Sequence, residues 1–280
     1  MFLINKISIF FVIFYSILFP VESISSEFAK VSNKRIISLN SLGADIVSKL
    51  EIDSLVGIPG STLLKKDDKF TDKVIISEGR MPPSLEKIIK LKPTLVIGSE
   101  GFHDKILDKL NELNVETLRT NTRSINQLEI LISDLANYLN KDPSKLNTDI
   151  KNCYLNLSKT RGSAVILAST KPLLSPNSNS WAGKLLDRFN FDNISKDLEA
   201  KTEFRGYVNL SPEIILKTKP SKIIVISFPG SNQISLLSDP VLGKLISKGK
   251  SELFTFDYYG LINPGSLKTI NNACEKLSNI

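Results

Sequence analysis

The sequence predicts an α/β fold of two Rossmann-like lobes connected by a single long α-helix, with a ligand cleft between the lobes. Three observations predict it. First, a helix–strand unit is written twice. Ser84-Leu85-Glu86-Lys87-Ile88-Ile89-Lys90-Leu91-Lys92-Pro93 runs in step with Ser211-Pro212-Glu213-Ile214-Ile215-Leu216-Lys217-Thr218-Lys219-Pro220. The pairs Ser84/Ser211, Glu86/Glu213 and Pro93/Pro220 share one offset of 127 (213 − 86). Each copy reads as a Ser cap, an acidic residue in the first turn, a short apolar helix and a Lys-Pro stop before a β-branched run. That offset is too long for a solenoid repeat, so it marks two related lobes. Second, strand-type and helix-type segments alternate, as in parallel sheets covered by helices. Third, Leu146, Ile150, Cys153 and Leu157 form one apolar stripe along a predicted helix from Pro143 to Lys159. At 1.5 Å per residue it is roughly 25 Å long, enough to cross the back of two lobes.

The elements follow in order. Arg35 to Leu39 is the first strand, a turn at Asn40 to Gly43 leads into a helix from Ala44 to Leu50, and Ser54 to Ile58 is the next strand. A polar loop, Lys65 to Lys73, precedes Val74-Ile75-Ile76. After the first repeat copy come a helix from His103 to Asn114 and a strand near Glu116 to Arg119. Leu128, Leu131, Leu135 and Leu139 recur at helical spacing between Ser124 and Asn140, and Pro143 starts the linking helix. Beyond Gly162 the pattern resumes with the strand Ala164 to Leu167, a polar loop Ser175 to Ser180 and a helix from Trp181 to Phe189. The second copy, a helix opened by Asp239-Pro240, the strand Leu253 to Phe256 and a last helix from Pro264 to Asn279 complete the chain. The expected domains are thus a lobe over 24–142, the linking helix over 143–160 and a lobe over 161–280.

Residues 1–23 read as a signal peptide. Lys6 supplies the positive n-region, Ile7 to Phe19 is an apolar run of 13 residues, and Pro20 to Ser23 offers a cleavage site. The run is shorter than the roughly 20 residues a spanning helix needs. No Cys precedes Cys153, so a lipid-modified N-terminus is not expected. The expectation is a soluble exported protein. The net charge of +7 invites a nucleic-acid reading, but only seven of the 36 basic residues are Arg and no basic run is interleaved with aromatics. A solvated, Lys-rich surface is the better account.

From these residues onward the chain resembles the periplasmic solute receptors of ABC importers that carry cobalamin, ferric siderophores or haem. The resemblance covers Arg35 to Leu39 with Asp45-Ile46 and Leu55-Val56-Gly57. It continues through Pro83 to Glu86, Lys92 to Ile97 and Ser180 to Leu186, and ends at Val208 to Glu213. It implies two α/β lobes joined by one helix that restricts opening, a cleft for a metal chelate, no resident cofactor, and no reaction. Two departures stand out. Asp45 replaces the family's usual Glu, and Gly79 to Pro83 lacks the Tyr that haem receptors carry there. Cobalamin or a ferric siderophore is therefore the expected ligand, with haem as the alternative and an exported α/β enzyme as a remoter one.

Glu86 and Glu213 carry a dipole role as helix-start carboxylates. The resemblance implies more, namely that each pairs with Arg on one membrane subunit of the importer. Arg80 and Tyr207 each lie six residues before these Glu (86 − 80 and 213 − 207), which puts them on opposite cleft walls. Phe102, Tyr258 and Tyr259 follow strands, the ligand side of open α/β sheets. Trp181, the only Trp, opens a helix at the cleft edge, and Arg205 adds a second guanidinium. Aromatics with one or two Arg suit a large, partly anionic chelate. His103 is the only His, too few for a transferable zinc site. No G-x-G-x-x-G, P-loop or G-x-S-x-G is present, so catalysis has no motif to stand on. Cys153 and Cys274 both fall on apolar stripes, which admits a disulfide or two buried thiols.

Overall fold

The computed structural model describes residues 34–78, 81–155, 159–170, 172–199, 205–228, 243 and 251–280. The expected signal peptide, Arg80 and the helix opened by Asp239-Pro240 lie outside the described residues. In the first half, β1 (Ile36–Ser38), β2 (Leu55–Gly60), β3 (Val74–Glu78), β4 (Leu95–Ser99) and β5 (Thr117–Thr120) form a parallel sheet in the order β3-β2-β1-β4-β5. The remaining strands are β6 (Ser163–Leu167), β7 (Ser169–Thr170), β8 (Leu173–Pro176), β9 (Asp192–Asn193), β10 (Tyr207–Asn209), β11 (Lys222–Ser227) and β12 (Glu252–Asp257). Of these, β12-β11-β6-β9 is a second parallel sheet and β10-β8-β7 an antiparallel one. The described helices of five or more residues are α1 (Ser41–Glu51), α2 (Leu85–Lys90), α3 (Asp104–Glu112), α4 (Ile125–Leu139), α5 (Ser144–Thr148), α6 (Trp181–Arg188), α7 (Pro212–Thr218) and α8 (Leu267–Ser278).

The sequence repeat is a repeat of topology. Read outward from β1 and β6, the order β9-β6-β11-β12 reproduces β2-β1-β4-β5. Ile36 pairs with Leu95 and Ala164 with Lys222, so the two ladders share their register to within one residue. The 127 offset also holds in detail. Ile88 and Ile215 are fully buried, and Lys92 and Lys219 take left-handed backbone, with φ of 47° and 46°. Glu86 and Glu213 are exposed. One difference separates the copies: the Ser84 side chain accepts from Lys87 N–H, whereas Ser211 makes no such cap and Pro212 follows it. A Pro at the first helical position already removes one unpaired N–H and presets φ.

Inner strands of parallel sheets are buried on both faces, so they read as unbroken apolar runs, and alternate side chains feed different cores. Ile36, Leu95 and Ile97 face a large core that also holds Ala164, Ile166, Ile224 and Ile226 of the second sheet. The α4 stripe of Leu128, Leu131, Leu135 and Leu139 fills that same core, with α1, α6 and α8 around it. Ile37 and Val96 face a separate cluster under α2 and α3, and Val165 and Ile223 another under α7. Both sheets therefore share one continuous hydrophobic core, within a single compact unit spanning Ser32–Ile280.

The expected single helix from Pro143 to Lys159 requires correction. The segment is α5 to Thr148 and then a 3₁₀ turn, Lys151–Tyr154. Its backbone groups find partners outside the segment. Asn152 N–H donates to Asn271 Oδ1 at 3.0 Å, and the Cys153 carbonyl accepts from Arg188 Nε. Asn147, Asp149 and Asn152 have low helix propensity, so tertiary bonds prevail over the helical ladder. Further ties bind the halves. Lys49 of α1 pairs with Asp149, and Cys153 is disulfide-bonded to Cys274 of α8. Asp45, buried in α1, accepts from the Leu267 N–H at the start of α8 at 2.9 Å. The antiparallel sheet was not expected either: β8 occupies the start of the predicted polar loop. A buried polar set holds it, with Ser195 Oγ donating to Ser175 Oγ at 2.8 Å and Asn193 Nδ2 to the Pro176 carbonyl at 3.0 Å. Such a network leaves few sequence signs, because Ser and Asn also read as loop.

Candidate functional site

Strand ends of parallel sheets point backbone and loop side chains at one edge, where open α/β folds take ligands. At the C-terminal ends of β11 and β12, Phe228, Tyr258 and Tyr259 form a run of touching rings. Phe228 and Tyr258 centroids are 5.2 Å apart, and Tyr258 and Tyr259 centroids 5.3 Å apart, edge to face. They wall a cavity of about 500 Å³ that Asn272 and Lys276 of α8 and Lys66 of the loop after β2 also line. The cavity thus takes groups from both halves of the chain. Tyr207 lies close enough to Tyr258 for the two phenols to interact electrostatically. Burial, and secondarily the proximity of Tyr258, raise its phenol above the ordinary range, so it stays a neutral hydrogen-bonding group.

Two other expected ligand residues lie exposed on loops, away from the lining of this cavity. Phe102 is 83 % exposed in the loop after β4. Arg205 reaches from the second half to Glu100 in the same loop, with Arg205 Nη1 3.8 Å from Glu100 Oε1. Glu100 and Arg205 thereby bridge the two halves, a contact worth less than about 1 kcal/mol at such exposure. Trp181 corrects the expectation. It is 4 % exposed inside the core, and its Nε1–H donates to the Gly260 carbonyl at 2.8 Å. A buried indole must satisfy its N–H, and this one does so by pinning α6 to the turn that carries Tyr258 and Tyr259. It braces the aromatic wall from inside the core rather than from the exposed edge of a helix.

Gly260 is fixed by two demands. Its φ is +99°, and an added Cβ would lie 2.1 Å from the Thr269 carbonyl oxygen. Gly260→Ala should therefore destabilise the fold by about 2–3 kcal/mol from backbone strain alone. It should also weaken any ligand that stacks on Tyr258. Thermal unfolding of the variant checks the first effect.

His103 is held by structure. Its Nδ1 accepts from the Ser99 N–H at 2.9 Å, closing the loop that bears Glu100 and Phe102. Burial lowers its pKa from 6.5, and Asp104 opposes the shift in part. The unfolded chain therefore binds this proton at a higher pH than the folded one. The stabilisation is complete above about pH 6.5 and is lost as pH falls towards the depressed folded value. Denaturant unfolding at pH 7.5 and 5 should show that loss, and His103→Gln should remove this component of the pH dependence.

Sequence reasoning missed Phe228, Lys66, Asn272 and Lys276. Phe228 had a signal: it follows β11 as Phe102 follows β4, and the repeat offset brings the two within one position. The lysines carried none, since each resembles the solvated lysines around it. Among the described residues, no cluster of three or more His, Cys, Asp or Glu is placed to hold a metal ion. Among them too, no helix is long and apolar enough to cross a membrane.

The family model described as periplasmic binding protein matches residues 36–242, and the chain belongs to that family. Its fold is shared with an ABC transporter substrate-binding protein from Listeria monocytogenes EGD-e (TM-score 0.69, 19 % identity, 88 % of this chain and 97 % of that one). The periplasmic vitamin B12 binding protein BtuF of Vibrio cholerae gives a TM-score of 0.65 at 18 % identity, covering 88 % of this chain and 95 % of its own. The periplasmic heme-binding protein RhuT from Roseiflexus sp. RS-1 gives 0.65 at 19 %, covering 88 % and 99 %. No curated protein matches the sequence. The family is one of binding proteins.

Proposed function

We propose that this protein captures a metal-chelate nutrient, cobalamin or a ferric siderophore, in the periplasm and delivers it to the membrane subunits of an ABC importer. It acts as a monomer after removal of residues 1–23. The observation that carries the reading is the aromatic-walled cavity at the strand ends, roomy enough for part of a large ring or chelate. Haem is the second reading, favoured by the phenols of Tyr207, Tyr258 and Tyr259 and by the haem-binding relative.

Delivery rests on the repeated helices. Each turns outward one carboxylate, Glu86 or Glu213, and one apolar side chain three residues on, Ile89 or Leu216. The Ser211 hydroxyl and its own backbone N–H hold the Glu213 carboxyl below the usual range, which keeps it charged. Two matched carboxylates suit a partner with approximate two-fold symmetry and cationic contacts.

Titration of the mature protein against cyanocobalamin, a ferric tris-catecholate, a ferric hydroxamate and haemin tests capture. Energy transfer from Trp181 to these coloured compounds gives the readout without requiring contact. Tyr258→Ala and Arg80→Ala should each weaken the bound compound about tenfold, or ~1.4 kcal/mol. Unchanged affinity in both would place the ligand elsewhere.

A further inference from the structure

We infer that the chelate this receptor takes is an anion, and that Lys66 and Lys276 receive its ionised oxygens. The inference rests on the receptor reading above and narrows it. Thr269, Asn272, Ala273 and Lys276 lie at i, i+3, i+4 and i+7 of α8, so one helix face turns this set into the cavity. Lys66 approaches from the loop after β2.

Among the described residues, neither ammonium has a carboxylate within ion-pair distance, and Lys276 Nζ rests 5.0 Å from the Phe256 ring centroid. Neighbouring lysines are engaged: Lys65 with Glu78 at 3.8 Å, and Lys69 with Asp45 at 3.5 Å and Asp67 at 3.3 Å. The only carboxylate among the described lining residues is Asp257. The phenol of Tyr207 beside this wall stays neutral. Two ammonium groups against one carboxylate leave the cavity positive at neutral pH. A tris-catecholate, or a ring bearing carboxylates, would pair with both lysines while its aromatic part lies on Tyr258 and Tyr259. A neutral corrinoid would leave the lysines unpaired as it displaced their water, and a cationic hydroxamate complex would be repelled.

Equilibrium dialysis of the mature chain against four probes tests this. Two are anions, a ferric tris-catecholate and haemin; cyanocobalamin is neutral and ferrioxamine B is a cation. An anion should bind at least about tenfold tighter than the neutral and cationic probes, and its affinity should fall several-fold from about 0.05 M to about 0.5 M salt. Lys66→Gln and Lys276→Gln should each cost it about fivefold, and the double Lys→Glu variant far more, with unchanged melting temperature. Tighter binding of cyanocobalamin or ferrioxamine B overturns the inference and leaves the receptor reading intact. So does anion binding indifferent to both lysines. Binding of none of the four overturns the receptor's ligand class, and this inference with it.

Discussion

Removing the Cys153–Cys274 bridge is expected to destabilise the protein by about 4 kcal/mol, lowering its melting temperature by roughly 8–16 °C. The bridge spans 121 residues, nearly the whole second half of the chain. Closing so long a loop removes much conformational freedom from the unfolded chain, in the entropic account of disulfides. The folded side has its own reason to need it. The segment between α5 and β6 is not the continuous helix that could carry the two sheets as one rod. Around Cys153 its described part is a 3₁₀ turn whose partners are Asn271, Arg188 and Cys274. Losing the covalent tie leaves that junction on side-chain hydrogen bonds and the core packing of Leu146 and Ile150. Cys153→Ala/Cys274→Ala, compared with the parent in thermal and urea unfolding, gives the magnitude. A thiol count on denatured, unreduced parent should be zero; two free thiols, or a double variant melting within a degree or two of the parent, would sink the claim.

How much of this was legible in the sequence depends on whether a residue's partners are near or far along the chain. The repeat was legible because its chemistry is local: a cap, a first-turn acid, a buried Ile and a Lys-Pro stop write the same short helix twice. Even Lys92 and Lys219 share their left-handed backbone. The parallel strands were legible because burial on both faces leaves unbroken β-branched runs. The linking helix misled because Leu146, Ile150 and Cys153 do face the core at helical spacing, but the backbone bonds that decide helix against turn come from α6 and α8. Trp181 misled for a related reason: a lone indole after a polar loop reads as exposed, and its burial depends on a carbonyl 79 residues away. The shared core is not visible in any local pattern, since the α4 stripe looks the same whether it covers one sheet or two.

That shared core shapes how the receptor can work. Asp45 capping α8 at Leu267, Lys49 paired with Asp149, and the core that both sheets share all oppose a wide opening of the halves. The exposed Arg205–Glu100 contact is weak by comparison. An importer reading such a receptor gains little from a large change of shape, so its recognition must rest on fixed surface groups. Reversing both Glu86 and Glu213 to Lys should therefore leave ligand affinity at the parent's value while lowering uptake in cells about a hundredfold or more. An attractive pair becomes a repulsive one at each end of the interface, at about tenfold per site. Either single reversal should do less, because the other helix still holds its subunit. Folding should be almost unaffected, since both side chains are exposed and each contributes at most about 1 kcal/mol to its helix dipole. Ligand titration, melting temperature and uptake measured on the same three variants separate capture, stability and delivery. Normal uptake by a folded, ligand-binding double variant would reduce both Glu to ordinary helix-start residues and move the docking surface elsewhere on the molecule.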